Sequence, residues 1–279
     1  MTGRRGEDPA GSPDDAADDD MGNDAAHDAA ADAALLAART ERLLRQARDG
    51  IDRLARDPRD PVGRGLLGEA VAKLEGDPPA WLAEASRDLL RPRDPETPIR
   101  TERLSLRRVT PADADVLHSY YGRADVATYL LTPPLTRAET AGEVRRRLRF
   151  GGPGSPADQA TKAFSVVVEL DGEVVGDVLL IHQPPHFSEA EIGWVLHPDH
   201  GGRGIATEAA GALLDLAFGH YGYHRVSAVL DARNAASAAV AERLGMRREA
   251  HLRRDYWSKG EWTDSLRYGL LAEEWVGRR

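Results

Sequence analysis

The sequence predicts a mixed α/β domain preceded by a small helical extension and an acidic tail, and three observations carry that prediction. From about residue 97 onward, apolar segments of strand length alternate with segments of helical spacing. Within that alternation, Glu191 to Leu214, EIGWVLHPDHGGRGIATEAAGALL, runs from a strand through a glycine-rich turn into a helix start. The first thirty residues hold nine acidic side chains against two arginines, seven of the chain's net −9, and almost no bulky apolar group.

Residues 1–30 cannot bury enough surface to offset the entropy of ordering and are expected to be disordered. Residues 31–95 are expected to form a helical extension. Leu36, Leu43, Leu44, Ala47, Ile51 and Leu54 fall on one helical face until Pro58 and Pro61. A second helix carries Leu67, Val71 and Leu74 before Gly76-Asp77-Pro78-Pro79, and a third carries Trp81, Leu82, Ala85 and Leu89 before Pro92. Helices this short must pack on one another or on the following domain. The Pro-rich run Pro92 to Pro98 marks the boundary, and residues 96–279 form the α/β domain. Strands are expected near 103–109, 163–170, 173–181, 189–196, 224–231, 247–256 and 264–271, with helices near 111–122, 136–149, 203–220 and 235–244. Asp171-Gly172 is a two-residue hairpin turn between the second and third strands.

Composition removes several function classes. There is no cysteine, which excludes disulfides, thiolate metal sites and a cysteine nucleophile. Beyond residue 30 the chain is nearly neutral and has no basic block, which argues against nucleic acid as a partner. No apolar run approaches spanning length and no leader is visible, so a soluble cytoplasmic protein off the membrane is expected. No metal is expected: two prolines separate His182 from His186, and His220 and His224 sit at a helix end, where capping is the usual role.

Gly201, Gly202 and Gly204 precede a helix with Ala206, Ala209, Ala210, Leu213, Leu214 and Ala217 on one face. Backbone N–H groups of such a turn, and the positive end of the helix dipole, favour a phosphate. A Walker loop fails because no Lys-Ser or Lys-Thr follows the glycines. A dinucleotide fingerprint keeps Gly202-x-Gly204 and an acidic Asp231 after a later strand, but position 207 is Thr and three residues separate the strand from the glycines.

The remaining reading rests on a resemblance. TERLSLRRVTPADADVLHSYY, AEIGWVLHPDHGGRGIATEA, NAASAAVAERLGM and YWSKGEWTDSLRYGLLAEEW stand in the order of the landmarks of the GNAT superfamily of N-acetyltransferases. From about Thr97 to its end the chain resembles that family, in its Rim-type branch related to ribosomal-protein N-terminal acetyltransferases. The resemblance implies a GNAT-like, mainly antiparallel sheet whose fourth and fifth strands splay apart around the pantetheine arm of acetyl-CoA. It implies that backbone N–H groups of Gly202, Arg203, Gly204, Ile205, Ala206 and Thr207 hold the pyrophosphate, with Gly201 where the family's motif has Gln or Arg. An oxyanion donor is implied near Val195 or Leu196. Glu191 falls where the family places a carboxylate that draws a proton through water, and reads equally as a solvated edge carboxylate. Ser237, three residues after Asn234, falls where the Rim-type branch protonates the thiolate, while Ala241 replaces the tyrosine of other members. Asn234 reads both as a cofactor contact and as a helix N-cap, and Ser237 also as an ordinary helical serine.

The expected activity is direct acetyl transfer from acetyl-CoA to a primary amine, a protein N-terminus or a small molecule. The alternatives are a silent acyl-CoA sensor or adaptor, and a transferase using another donor such as succinyl-CoA, for which Arg233 supplies the cation. The loop His182 to Phe187 and Tyr256, Trp257 and Trp262 read either as acceptor lining or as hairpin packing. The N-terminal helices are the expected surface for a homodimer or partner.

Overall fold

The computed structural model describes residues 18–74, 78–90, 94–149, 163–183 and 189–276. Three helices come first: α1 (Asp18–Arg56), α2 (Pro61–Lys73) and α3 (Ala80–Leu90). α1 begins at Asp18, within the acidic segment 1–30. Alanine is the strongest helix former, and the Ala-rich run continues the helix toward the N-terminus. Residues 1–17 lie outside the described residues. Asp60 caps α2 by accepting from the Val62 amide at 3.0 Å, with Pro61 at the first helical position. Ala47, Leu54, Leu67, Ala70, Leu82 and Leu90 form a core among the three helices. Leu36 is 63% exposed, because the 39-residue α1 outruns the 13- and 11-residue helices packed against it.

The extension also meets the α/β domain. The Asp94 carboxylate pairs with Arg108 and accepts from the Tyr221 hydroxyl at 3.3 Å. The backbone of Arg59 lies against Gly222.

The domain holds one eight-stranded sheet of β1 (Ile99–Arg100), β2 (Leu104–Arg107), β3 (Ala163–Leu170), β4 (Glu173–Gln183), β5 (Glu189–Leu196), β6 (Arg225–Asp231), β7 (Arg247–Ser258) and β8 (Glu261–Leu271). The order is β1-β2-β3-β4-β5-β6-β8-β7. Every pair is antiparallel except β5 with β6. Asp171 and Gly172 take φ of 53° and 85° in the turn joining β3 to β4, as a two-residue hairpin requires. β1 was not expected from the sequence, so the strands expected to splay are β5 and β6.

The helices are α4 (Ala114–Tyr121), entered through a 3-10 turn at Pro111–Asp113, then α5 (Ala124–Ala127), α6 (Arg137–Arg147), α7 (Ile205–Asp215), α8 (Ala235–Arg243) and α9 (Ala272–Val276). A π turn at Leu216–His220 extends α7. Strand alternation builds two layers. Val166, Val168, Ile192, Val226 and Ala228 pack with Leu213 and Leu214 of α7 on one face. Val167 packs on the other with Leu117, Tyr120, Tyr121 and Val144 of α4 and α6.

That second layer is centred on an ionic network. Asp177, fully buried in β4, accepts from the Tyr120 hydroxyl at 2.8 Å, the Tyr121 hydroxyl at 3.0 Å and the Arg147 guanidinium at 2.8 Å. Arg147 also reaches Glu143 at 2.9 Å. Burial and the Asp177 charge hold the Tyr120 phenol well above its ordinary range. Among the described residues no helix is long and apolar enough to cross a membrane.

Candidate active site

β5 and β6 pair at Glu189↔Arg225, Ala190↔Val226 and Glu191↔Ser227, and then part. Beyond that point β5 stays on β4 as far as Leu196, while β6 stays on β8 as far as Asp231. At the gap lies a cleft of about 670 Å³. Trp194, Val195 and Leu196 line it from β5, Gly201, Gly202 and Gly204 from the following loop, and Ile205, Ala206 and Thr207 from the first turn of α7. Asn234, Ser237, Val240 and Arg243 line it from α8, and Val126, Tyr129 and Leu130 from α5 and the turn after it.

The loop leaves a helix start without a side-chain cap. Gly202 and Gly204 take φ of 74° and 77°, a left-handed conformation that side-chain-bearing residues adopt only with strain. Gly204 is the N-cap of α7 and has no side chain with which to cap it. The N–H groups of the first turn therefore have no intrahelical acceptor and lie at the positive end of the helix dipole. Arg103 braces this turn, donating to the Arg203 carbonyl at 3.1 Å and to the Glu208 carboxylate at 2.7 Å. Burial pushes the Glu208 pKa up, but hydrogen bonds from Thr101 and Arg103 outweigh it and hold the carboxyl below its ordinary range. The side chain of Arg203 stands within 3.3 Å of the His200 ring, and Arg203 is not in the cleft wall.

Arg243 is one of the lining residues that sequence reading missed, along with Val126, Tyr129, Leu130, Trp194 and Val240. Its Nε donates to the Thr207 hydroxyl at 3.2 Å, which places a guanidinium beside the first turn of α7. Only the contact between α7 and α8 brings it there, so local spacing gave no signal.

Asn234 caps α8, its Oδ1 accepting from the Ser237 amide at 3.0 Å, and both residues line the cleft. Ala241 is fully buried. The His197 amide donates to the Val175 carbonyl at 2.8 Å. Strand alternation then turns the Leu196 amide away from β4, toward the gap.

Glu191 lies on the other face. Ala190 and Ile192 point into the core, so Glu189 and Glu191 point away from it. With Ser227 and Val229 of β6, Glu249 of β7 and Arg267 of β8 they line a second cavity of about 490 Å³. Burial raises the pKa of the Glu191 carboxyl, and Arg267 partly offsets the rise. Arg225 in the same cavity is paired with Glu249 at 2.8 Å. The two cavities flank the point at which β5 and β6 part.

Other expected residues fall elsewhere. The Arg233 guanidinium, offered as the cation for a succinyl donor, is held by Asp231 at 2.7 Å and Glu261 at 2.8 Å and does not line the cleft. Tyr256, Trp257 and Trp262 are exposed near the tip of the β7–β8 hairpin, in the wall of neither cavity. His182 is buried against Tyr221 and bonded to the Tyr223 hydroxyl. Burial, aided by Arg108, lowers its pKa to about 4, so the ring is neutral at pH 7. Residues 184–187, expected with it as acceptor lining, lie outside the described residues. Among the described residues no three His, Cys, Asp or Glu side chains converge on a metal-sized site.

Residues 103–247 match the family model of the acetyltransferase (GNAT) domain. The N-acetyltransferase p20 of Bacillus licheniformis is 32% identical over 177 residues, 63% of this chain and 97% of that protein. A GNAT-family acetyltransferase structure from Bacillus anthracis is 30% identical with a TM-score of 0.55, over 63% of this chain and 99% of that one. The ribosomal L7/L12 α-N-protein acetyltransferase RimL, solved with coenzyme A, shares the fold at 21% identity and a TM-score of 0.57, over 64% and 99% of the two chains.

Proposed function

Because the chain belongs to the GNAT acetyltransferase family, we propose that it moves an acetyl group from acetyl-CoA directly to a primary amine, a protein N-terminus or a small-molecule amine. One observation carries this reading: β5 and β6 part between a cleft suited to an anion-bearing donor and a separate cavity holding a carboxylate of raised pKa. In this reading the pyrophosphate lies on the amides of Gly202, Arg203, Gly204, Ile205, Ala206 and Thr207, with Arg243 adding charge. The pantetheine arm follows Val195 and Leu196 into the gap, and Asn234 holds the α8 wall. The acceptor enters from the Glu191 side.

The chemistry follows from those positions. Attack needs a neutral amine, and an α-amino group of pKa ~8 loses its proton far more readily at pH 7 than a lysine of ~10.4. Glu191 takes the amine proton, directly or through water. The Leu196 amide faces the oxygen on which charge develops, and the Ser237 hydroxyl protonates the departing CoA thiolate while recovering a proton from solvent water, which balances the one given up to Glu191. No acyl-enzyme is needed, since the two substrates meet in the gap.

Glu191 must be deprotonated to work, so kcat/KM should rise with pH through a limb above the ordinary glutamate range. Glu191→Gln should erase that limb and lower kcat by less than the ~10²-fold usual for a general base, given an acceptor that is already partly neutral. A pH–rate profile checks this, and an unchanged limb in the variant would remove Glu191 from the mechanism. Ser237→Ala should lower kcat about 10-fold with coenzyme A affinity nearly unchanged. Normal turnover per folded molecule with reduced stability would make Ser237 a structural residue only. The reading as a whole is tested by incubating the protein with acetyl-CoA and a panel of peptides and polyamines while following free thiol. Thiol release matched by acetylated product is expected, whereas tight coenzyme A binding with no turnover on any amine would favour a sensor or adaptor.

A further inference from the structure

Lys259 sits at the turn of the β7–β8 hairpin with φ of 50°, followed by Gly260 with φ of 89°. Its ammonium donates to the carbonyls of Ala127 at 2.6 Å, Thr128 at 2.9 Å and Leu130 at 2.7 Å. An ammonium has three donors, and all three are used. The acceptors lie at the C-terminal end of α5 and just beyond it. A helix of four residues is too short to hold itself, and its last carbonyls have no intrahelical donor. Val126, Tyr129 and Leu130 of this same segment form one wall of the cleft. The hairpin tip is tied to the α8 wall as well. Glu261 accepts from Arg233 at 2.8 Å, and Arg233 holds Asp231, three residues before Asn234.

We propose that Lys259 is a positioning residue that clamps the α5 wall in place, so that the cleft is already formed when the donor arrives. The proposal rests on reading the cleft as the coenzyme A site. Without the ammonium, the carbonyls of residues 127, 128 and 130 lose their shared donor and the wall carrying Val126, Tyr129 and Leu130 is released. The anion site at Gly204 and the groups at Glu191 and Ser237 stay where they are. The cost therefore falls on donor binding and not on the chemical step.

Titrating variants of the full chain with coenzyme A tests this. Lys259→Met keeps a chain of similar length without the charge. It should bind coenzyme A about 10-fold more weakly or worse, as expected for losing charge-assisted hydrogen bonds. The KM for acetyl-CoA should rise by a similar factor while kcat stays within about 3-fold. Lys259→Arg, which keeps a cation but presents its donors in a planar fork, should bind more tightly than Lys259→Met and more weakly than the parent. A purely structural lysine predicts a lower melting temperature with unchanged affinity per folded molecule. That outcome, with Gly204→Glu failing to bind, overturns the clamp and leaves the cleft assignment standing. Parent-like binding by folded Gly204→Glu would instead remove the cleft assignment and the clamp with it.

Discussion

Gly204→Glu is expected to abolish coenzyme A binding in a protein that still folds. The new carboxylate would stand among the first-turn amides of α7, where it both fills the place of the pyrophosphate and repels it. An affinity loss of ~100-fold or more is expected by calorimetric titration. The substitution also carries backbone strain, since residue 204 has φ of 77°. Gly204→Ala shares that strain without the charge and separates the two effects. The alanine variant should be somewhat less stable yet keep measurable affinity, while the glutamate variant should bind nothing detectable. Equal binding by both would mean that the anion lies elsewhere.

The second large effect is on stability. Asp177→Asn keeps the shape of the side chain but takes the charge from a fully buried partner of Arg147. The guanidinium would face an amide in a dry interior with Glu143 its only remaining anion beside the neutral Tyr121 hydroxyl, and breaking a buried pair from one side costs about 3–5 kcal/mol. Urea denaturation measures it, and a loss under ~1 kcal/mol would show that the network is no more than a surface pair in effect. Because Asp177 stands opposite Val195 in the β4–β5 ladder, the variant should also loosen the strand that lines the donor cleft.

What the sequence made legible was mostly local. Strands 163–170 and 189–196 match β3 and β5, and the expected helix at 235–244 ends one residue beyond α8. Each is specified by its own periodicity and caps. The strand–turn–helix unit from β5 through the glycine loop to α7 is local as well, which is why Gly202, Gly204 and the α7 first turn are found in the cleft wall. Elements whose stability comes from distant contacts were not readable. β1 is two residues that exist by pairing with Ser105 and Leu106, and α5 is a single turn bonded by a lysine more than a hundred residues away. The same limit applies to side chains. Arg243 reaches the cleft only through α8 packing on α7, and the placement of Glu191 on the opposite face follows from which alternate residues of β5 enter the core.

A crystal structure of the full chain with coenzyme A tests the central claim most directly. Donor and acceptor are expected in separate cavities that meet where β5 and β6 part. The predicted result has the pyrophosphate on the amides of residues 202–207 and the sulfur between the two strands, within ~3.5 Å of the Ser237 hydroxyl and open toward Glu191. Coenzyme A lying instead in the cavity formed by Ile99, Gly211, Leu216 and Trp275, with its sulfur away from the gap, would contradict it.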